Sequence, residues 1–243
     1  RDDVESRGLG MCIRDSFNTG VKKLIYQYGR FFSTYKVNSL FGFYHHCFVD
    51  EFRKAFKIDS DIIDIGAGVG DTSFILQHYL QARTFAVEPS PRLFSVLEEN
   101  ISINGHPNII PINHAIWDTN SVISLSNKLN TLNCVVSAEE KGAVSVRACT
   151  LDLFIREKKL NPGLIKIMTN WGESMILKSG LASIQKYRPI LLISLSSSGK
   201  ELFATLNICS QLKDYNFKIT KCAELHATDG LFLICIPSES ILV

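Results

Sequence analysis

Three glycines at alternate positions, Gly66, Gly68 and Gly70, follow an apolar run that closes on an acid, Asp61-Ile62-Ile63-Asp64-Ile65, and precede a helical pattern beginning at Asp71-Thr72. Such a turn brings bare backbone against a ligand. Glycine tolerates positive φ and adds no side chain, so amide N–H groups can face a bound molecule, while Asp71 or Thr72 is placed to cap the next helix. A dinucleotide turn would read G-x-G-x-x-G and seat a pyrophosphate on the helix N-terminus. Here the spacing is G-x-G-x-G. With Asp64 at the strand end, this is the pattern of an S-adenosylmethionine site, where no pyrophosphate is cradled and an acid can face the cofactor's ammonium group. A second acid, Glu88, closes the next apolar run, Thr84-Phe85-Ala86-Val87, about 20 residues on, where a carboxylate can take both hydroxyls of a ribose. Asp64, Gly66, Ala67, Gly68, Gly70, Glu88 and Pro89 are therefore the expected cofactor-binding residues; the alternative is a tight βα turn with no ligand.

The elements that must position these groups alternate between strand and helix. Ile62, Ile63 and Ile65 are β-branched and nearly continuous, as in a strand buried on both faces of a parallel sheet. Helix is expected from Thr72 to Tyr79, strand from Arg83 to Glu88, and helix from Pro91, whose apolar positions 93, 94, 97 and 101 are spaced by three and four, to Asn104-Gly105. Ile109 to Ile112 forms a third strand. Ala115, Trp117 and Asp118 follow at its carboxyl end, where doubly wound sheets bind ligands, and join the expected cofactor site. Trp117 there flanks an adenine or packs in the core. Residues 119–148 alternate weakly between turn residues and predict an antiparallel, hairpin-like insertion. Beyond it come a short helix from Thr150 to Lys158, a fourth strand from Leu164 to Met168, a helix from about Glu173 to Tyr187 and a strand from Ile190 to Leu195. A helix from Lys200 to Tyr215 and two antiparallel strands near 217–222 and 231–236 complete the chain. The expected fold is α/β: a Rossmann-like, doubly wound, mostly parallel seven-stranded sheet with an antiparallel final strand and right-handed connections.

The N-terminal part reads differently. Residues 1–16 show no usable periodicity and are expected to be non-native or disordered, outside the fold. Residues 17–58 carry aromatics at mostly helical spacings and predict a helical N-terminal cover, either packing on the sheet edge or acting as a lid over an acceptor pocket. His45 and His46 are adjacent, so they point to different sides of a helix, and no metal site is expected. Residues 59–243 form the Rossmann-like domain.

Composition narrows the function classes. The 243 residues are 46% hydrophobic and 21% charged, with a formal net charge of +2, and no long Lys/Arg run suggests a nucleic-acid footprint. Seven cysteines lack C-x-x-C pairing, which fits a reducing, cytoplasmic setting. No apolar stretch approaches the roughly 20 residues that span a bilayer, so no membrane partner is expected.

With these residues in view, the chain resembles the FkbM family of S-adenosylmethionine-dependent methyltransferases over roughly residues 60–225. The resemblance lies in Asp64-Ile65-Gly66-Ala67-Gly68-Val69-Gly70, Val87-Glu88-Pro89-Ser90-Pro91, Leu97-Glu98-Glu99-Asn100, Thr150-Leu151-Asp152, Leu164-Ile165-Lys166-Ile167 and Arg188-Pro189-Ile190-Leu191-Leu192-Ile193. It implies O-methylation of a small hydroxylated acceptor, a sugar or other secondary metabolite. One motif departs. Where the family writes Lys-Ile-Asp-Val-Glu-Gly-Ala-Glu, this chain has Lys166-Ile167-Met168-Thr169-Asn170-Trp171-Gly172-Glu173, and both central acids are gone. Serine also stands near the position of the family's acid after the fifth strand. A hydroxyl acceptor must lose its proton, and Asn170 can orient a hydroxyl but not deprotonate it. Asn170 and Glu173 are the remaining catalytic candidates, with Glu173 either a base or an acid favouring the helix dipole. An S-adenosylmethionine-binding relative with impaired catalysis, acting as a scaffold, is the alternative reading. A nicotinamide-dependent dehydrogenase is disfavoured by the glycine spacing.

Overall fold

Ile62, Ile63 and Ile65 build a strand with no exposed residue, since all five positions from Asp61 to Ile65 are buried, and the rest of the sheet is laid on either side of it. The computed structural model of the chain describes residues 14–15, 24–28, 31–33, 49, 52–126, 135–136, 139–169, 172–195, 198–221 and 231–241. In chain order the strands are β1 (Arg14–Asp15), β2 (Leu24–Tyr28), β3 (Phe31–Ser33), β4 (Asp61–Ile65), β5 (Thr84–Val87), β6 (Ile109–Ile112) and β7 (Ala115–Ile116). They continue as β8 (Ser121–Leu125), β9 (Val135–Val136), β10 (Val144–Cys149), β11 (Pro162–Ile167), β12 (Ile190–Ser194), β13 (Tyr215–Lys221) and β14 (Leu231–Pro237). The helices are α1 (Asp71–Leu80), α2 (Pro91–Asn104), α3 (Leu151–Glu157), α4 (Glu173–Ser179), α5 (Leu181–Tyr187) and α6 (Gly199–Cys209).

The main sheet has seven strands in the order β13-β14-β12-β11-β4-β5-β6. Every neighbouring pair from β12 to β6 is parallel, and β14 runs antiparallel to both β12 and β13. This is the expected doubly wound sheet. Side chains alternate across it. Ile63, Ile65, Ile165, Ile167, Leu191 and Ile193 face one core with Leu151 and Phe154 of α3 and Ile176 of α4. Ile62, Leu164 and Leu192 face the other with Phe74 of α1 and Leu97 of α2.

The insertion predicted between residues 119 and 148 forms a second sheet ordered β7-β10-β8-β9, with β8 and β10 antiparallel as expected. Its strand β7 leaves the carboxyl end of β6 and pairs in parallel with β10. The segment read as one helix from 173 to 187 is two, because Gly180 interrupts it. A Cβ on Gly180 would lie 2.4 Å from Leu151 Cδ2, so the close seat on α3 requires glycine there.

The N-terminal expectation needs correcting. Within residues 17–58, Leu24–Tyr28 and Phe31–Ser33 are antiparallel strands, and the helical residues described there, Val49 and Arg53–Ala55, are 3-10. Aromatic and β-branched residues on either side of Tyr28-Gly29-Arg30 suit a hairpin as well as a helix, and short apolar runs do not distinguish the two. Arg14–Asp15 pairs with β2, so part of the segment expected to lie outside the fold belongs to a sheet. The remainder of residues 1–16 lies outside the described residues, as do His45 and His46. Among the described residues no helix is long and apolar enough to cross a membrane.

Candidate functional site

Outward from the middle of the sheet the chain winds one way through β4, β5 and β6 and the other way through β11 and β12, so its direction of winding reverses between β4 and β11. Open α/β sheets bind ligands outside the carboxyl ends of the strands at such a reversal. Here those ends carry the glycine turn, residues 66–70, and the altered motif, residues 168–173. The two interlock. Met168 N donates to Ile65 O at 3.1 Å, and Gly66 N and Ala67 N donate to Val87 O at 3.0 and 3.1 Å. A Cβ on Gly66, at φ +76°, would lie 2.0 Å from Met168 O, which makes glycine obligatory. Gly68 differs, because at φ +56° its missing Cβ faces open space. The first glycine fits the protein to itself, and the middle one leaves room for a ligand. Gly70 is the N-cap of α1 and supplies no side-chain cap, so neither Asp71 nor Thr72 takes the capping place expected for it.

Asp64 is fully buried beneath this turn. Register places it beside Lys166 of β11, and the ammonium lies 2.7 Å from Asp64 Oδ1, both side chains being at most 1% exposed. That contact is an ion pair with an approach too oblique for a hydrogen bond, since Oδ1 has no hydrogen-bond partner. Lys166 Nζ donates instead to Gly66 O at 2.9 Å, and Ser73 Oγ donates to Asp64 Oδ2 at 2.6 Å. Asp64 therefore faces protein groups rather than the mouth of the turn. The pair ties β4, β11, α1 and the Gly66 carbonyl together.

Glu88, at the end of β5, is 5% exposed. Its Oε2 accepts from Gly68 N at 2.8 Å and its Oε1 from Ser90 N at 2.9 Å, while Asn113 Nδ2 donates to Glu88 O at 2.9 Å and holds the loop. Burial pushes its pKa up from an ordinary 4.5 to about 7; the amides of Ser90 and Gly68 and the Lys166 charge work against the rise, and Asp64 adds to it. Each carboxylate oxygen keeps a second lone pair for a hydroxyl donor. A ribose hydroxyl donates best to the ionised form, so cofactor affinity should rise with pH through about 7 and level off above it. The sign for folding is opposite: a raised pKa stabilises the folded protein below 4.5, and that contribution is lost as pH climbs through 7. Glu88→Ala should weaken cofactor binding by about 2 kcal/mol and abolish this pH dependence, as calorimetry at several pH values would show.

A small cavity opens beside the turn, and Gly66, Pro89, His114, Ala115, Trp117 and Thr169 all line it. Ile123, Leu125 and Val135 of the second sheet and Ile176 of α4 close it. Trp117 also packs tightly on the backbone of the altered motif, since a Cβ on Gly172 would lie 2.5 Å from its Cζ3. Trp117 therefore packs in the protein, as one of its two expected readings has it, and its side of the cavity stands beside Ala115 and Pro89. Asp118 is exposed and not on the cavity wall.

Glu173 is fully buried, and its oxygens accept from Thr169 N at 3.0 Å and Gly172 N at 3.2 Å. It ties Thr169 to Gly172 and does not line the cavity. Asn170 lies outside the described residues. Sequence reasoning missed Ser73, Asn113 and Lys166 as supports of the site, and Thr169 on its wall. A lysine inside an otherwise apolar buried strand signals a paired acid, and Lys166 could have been found that way. Among the described residues no group of three or more His, Cys, Asp or Glu side chains could hold a metal ion.

The sheet order, the glycine turn and the acid at the end of β5 together define a Rossmann-like methyltransferase domain. A profile of the methyltransferase FkbM domain matches residues 64–219, and the chain belongs to that family of S-adenosylmethionine-dependent methyltransferases. Among solved structures, methyltransferase FkbM from Methylobacillus flagellatus KT superposes with a TM-score of 0.56 at 17% identity, over 75% of this chain and 47% of that one. The chain thus spans about half the length of that relative. An O-methyltransferase from Bacillus cereus in complex with SAH superposes with a TM-score of 0.51 at 11% identity, over 83% of this chain and 82% of that one. At these identities the superpositions speak for the fold alone. A search of curated proteins finds no significant match.

Proposed function

We propose that the chain transfers the methyl group of S-adenosylmethionine to a hydroxyl oxygen of a small organic acceptor, which the resemblance leaves as a sugar or another secondary metabolite. The observation that supports this reading most is the Glu88 carboxylate, bound to the amides of Gly68 and Ser90 at the end of β5, beside a glycine whose missing side chain leaves open space. A ribose fits that acid, and its adenine would lie toward Pro89, Ala115 and Trp117. When bound, the cofactor supplies an electrophilic methyl group on a sulfonium, so the protein's task is alignment of the acceptor oxygen with that methyl and exclusion of water. Thr169 and Gly172, both bound to Glu173, stand on the rim next to which that alignment would occur. Transfer forms a carbon–oxygen bond, breaks the carbon–sulfur bond and releases the hydroxyl proton.

Incubation of the purified protein with methyl-labelled S-adenosylmethionine and a panel of hydroxylated compounds should yield labelled, alkali-stable ether product. Cofactor binding without transfer to any panel member would favour the impaired, scaffold reading instead. No cofactor binding at all would return the glycine cluster to a tight turn.

A further inference from the structure

The helix that follows Glu88 reaches back to the glycine turn and meets it with two buried residues, Leu97 and Asn100 of α2, three positions apart on one face. Leu97 packs on Gly70, where a Cβ would lie 2.7 Å from its Cδ1. Asn100 is the polar one of the two. It is 1% exposed, and an amide so deeply placed is tolerated where its hydrogen bonds are made. Its Nδ2 carries two hydrogens. Val69 O accepts from it at 2.8 Å, and Ser33 Oγ, at the end of β3, accepts from it at 3.1 Å. A carbonyl oxygen can only accept, so the NH2 side of the amide must face Val69 and the flipped orientation is excluded. Ser33 is itself 1% exposed.

The bond to Val69 completes the fastening of the turn. Gly66 N and Ala67 N donate to Val87 O, Gly68 N donates to Glu88 Oε2, and Gly70 N donates to Ala67 O at 2.8 Å. The peptide between Val69 and Gly70 is therefore held at both of its groups, its N–H by the turn and its C=O by Asn100. Among the described residues Val69 N is the turn amide left without an acceptor, and it lies between the anchors Glu88 and Asn100.

We propose that Asn100 is a positioning residue for the cofactor: it fixes the Val69 peptide on the turn, and through Ser33 it links occupancy of the turn to docking of the β2–β3 hairpin. This rests on the reading that the Gly66–Gly70 turn holds S-adenosylmethionine. Such a linkage is reciprocal, so the affinity that the hairpin lends to the cofactor is returned as stability of the hairpin when the cofactor binds.

The test titrates S-adenosylhomocysteine calorimetrically into wild type, Asn100→Leu, Ser33→Ala and Asn104→Ala, and follows amide hydrogen exchange of the same samples with and without it. Asn100→Leu keeps the side chain's size and removes its donors. Ser33→Ala removes the outer partner alone and is the milder change should the first fail to fold. Asn104 Nδ2 donates to Asn100 O at 2.7 Å, so Asn104→Ala loosens the same helix one turn further on. Asn100→Leu should weaken binding roughly 10-fold and Ser33→Ala roughly 3-fold, while Asn104→Ala lowers the melting temperature and leaves affinity unchanged. In wild type the ligand should slow exchange in Leu24–Tyr28 and Phe31–Ser33; in Asn100→Leu and Ser33→Ala that protection should vanish while protection of α1 persists. Affinity that merely follows melting temperature across the three variants, or hairpin protection that survives Ser33→Ala, would overturn the proposal. Absence of binding by wild type, or wild-type affinity retained by Gly68→Val, would instead defeat the reading of the turn as the cofactor site.

Discussion

Replacing Lys166 by methionine should cost the folded protein about 3–5 kcal/mol, the loss expected when one partner of a buried ion pair is removed and the other charge is stranded. Both side chains are essentially inaccessible, so water cannot solvate the Asp64 carboxylate left behind. Ser73 Oγ would remain as its one donor, and the Gly66 carbonyl would lose its ammonium partner. The variant Asp64→Asn with Lys166→Met has no stranded charge and should recover most of the loss, because buried pairs replaced by neutral groups of similar volume are often close to neutral in stability. Urea melts of the wild type and of the single and double variants would measure this. A single variant within about 1 kcal/mol of wild type would mean that the pair does not hold the two strand ends together.

Gly66 and Gly68 should part company when each is substituted. Gly66→Ala drives a methyl group into Met168 O, 2.0 Å away, at a φ of +76°. Overpacking against backbone and left-handed strain together should destabilise the protein by about 2–5 kcal/mol. A Cβ on Gly68 meets nothing within 4 Å, so Gly68→Val carries chiefly the strain of φ +56°, about 1–2 kcal/mol. Its side chain fills the space the ligand needs, so cofactor binding should fall by at least about 100-fold while the sheet stays folded. Thermal melts and a cofactor titration on the same samples distinguish the two effects. Loss of binding at Gly68 only in proportion to loss of stability would mark the turn as structural.

Much of this was legible in the residues. The apolar run Ile62-Ile63, the glycine spacing and Glu88 specified β4, the turn and the acid at the end of β5, because strand burial and positive φ are local demands written in residue type. The N-terminal strands were not legible: residues 24–33 have aromatics whose spacing suits either period, and pairing with Arg14–Asp15 is a tertiary fact. Asp64 shows the other limit. Its place at a strand end invites a ligand role, and only the cross-strand register that sets Lys166 beside it reveals the carboxylate as already engaged. Glu173 likewise carries the amides of Thr169 and Gly172 on its oxygens, contacts that its residue type does not announce. Hydrogen-bond partners supplied by backbone leave no trace in residue type, so which acids of a site are free is decided by the fold.

The central claim, that the Gly66–Gly70 turn with Glu88 binds S-adenosylmethionine, is tested most directly by calorimetric titration of the purified protein with that cofactor and, separately, with NAD. Saturable binding of S-adenosylmethionine at one site per chain, with no heat of binding from NAD, is the predicted result; binding of NAD, or of neither compound, would contradict the account.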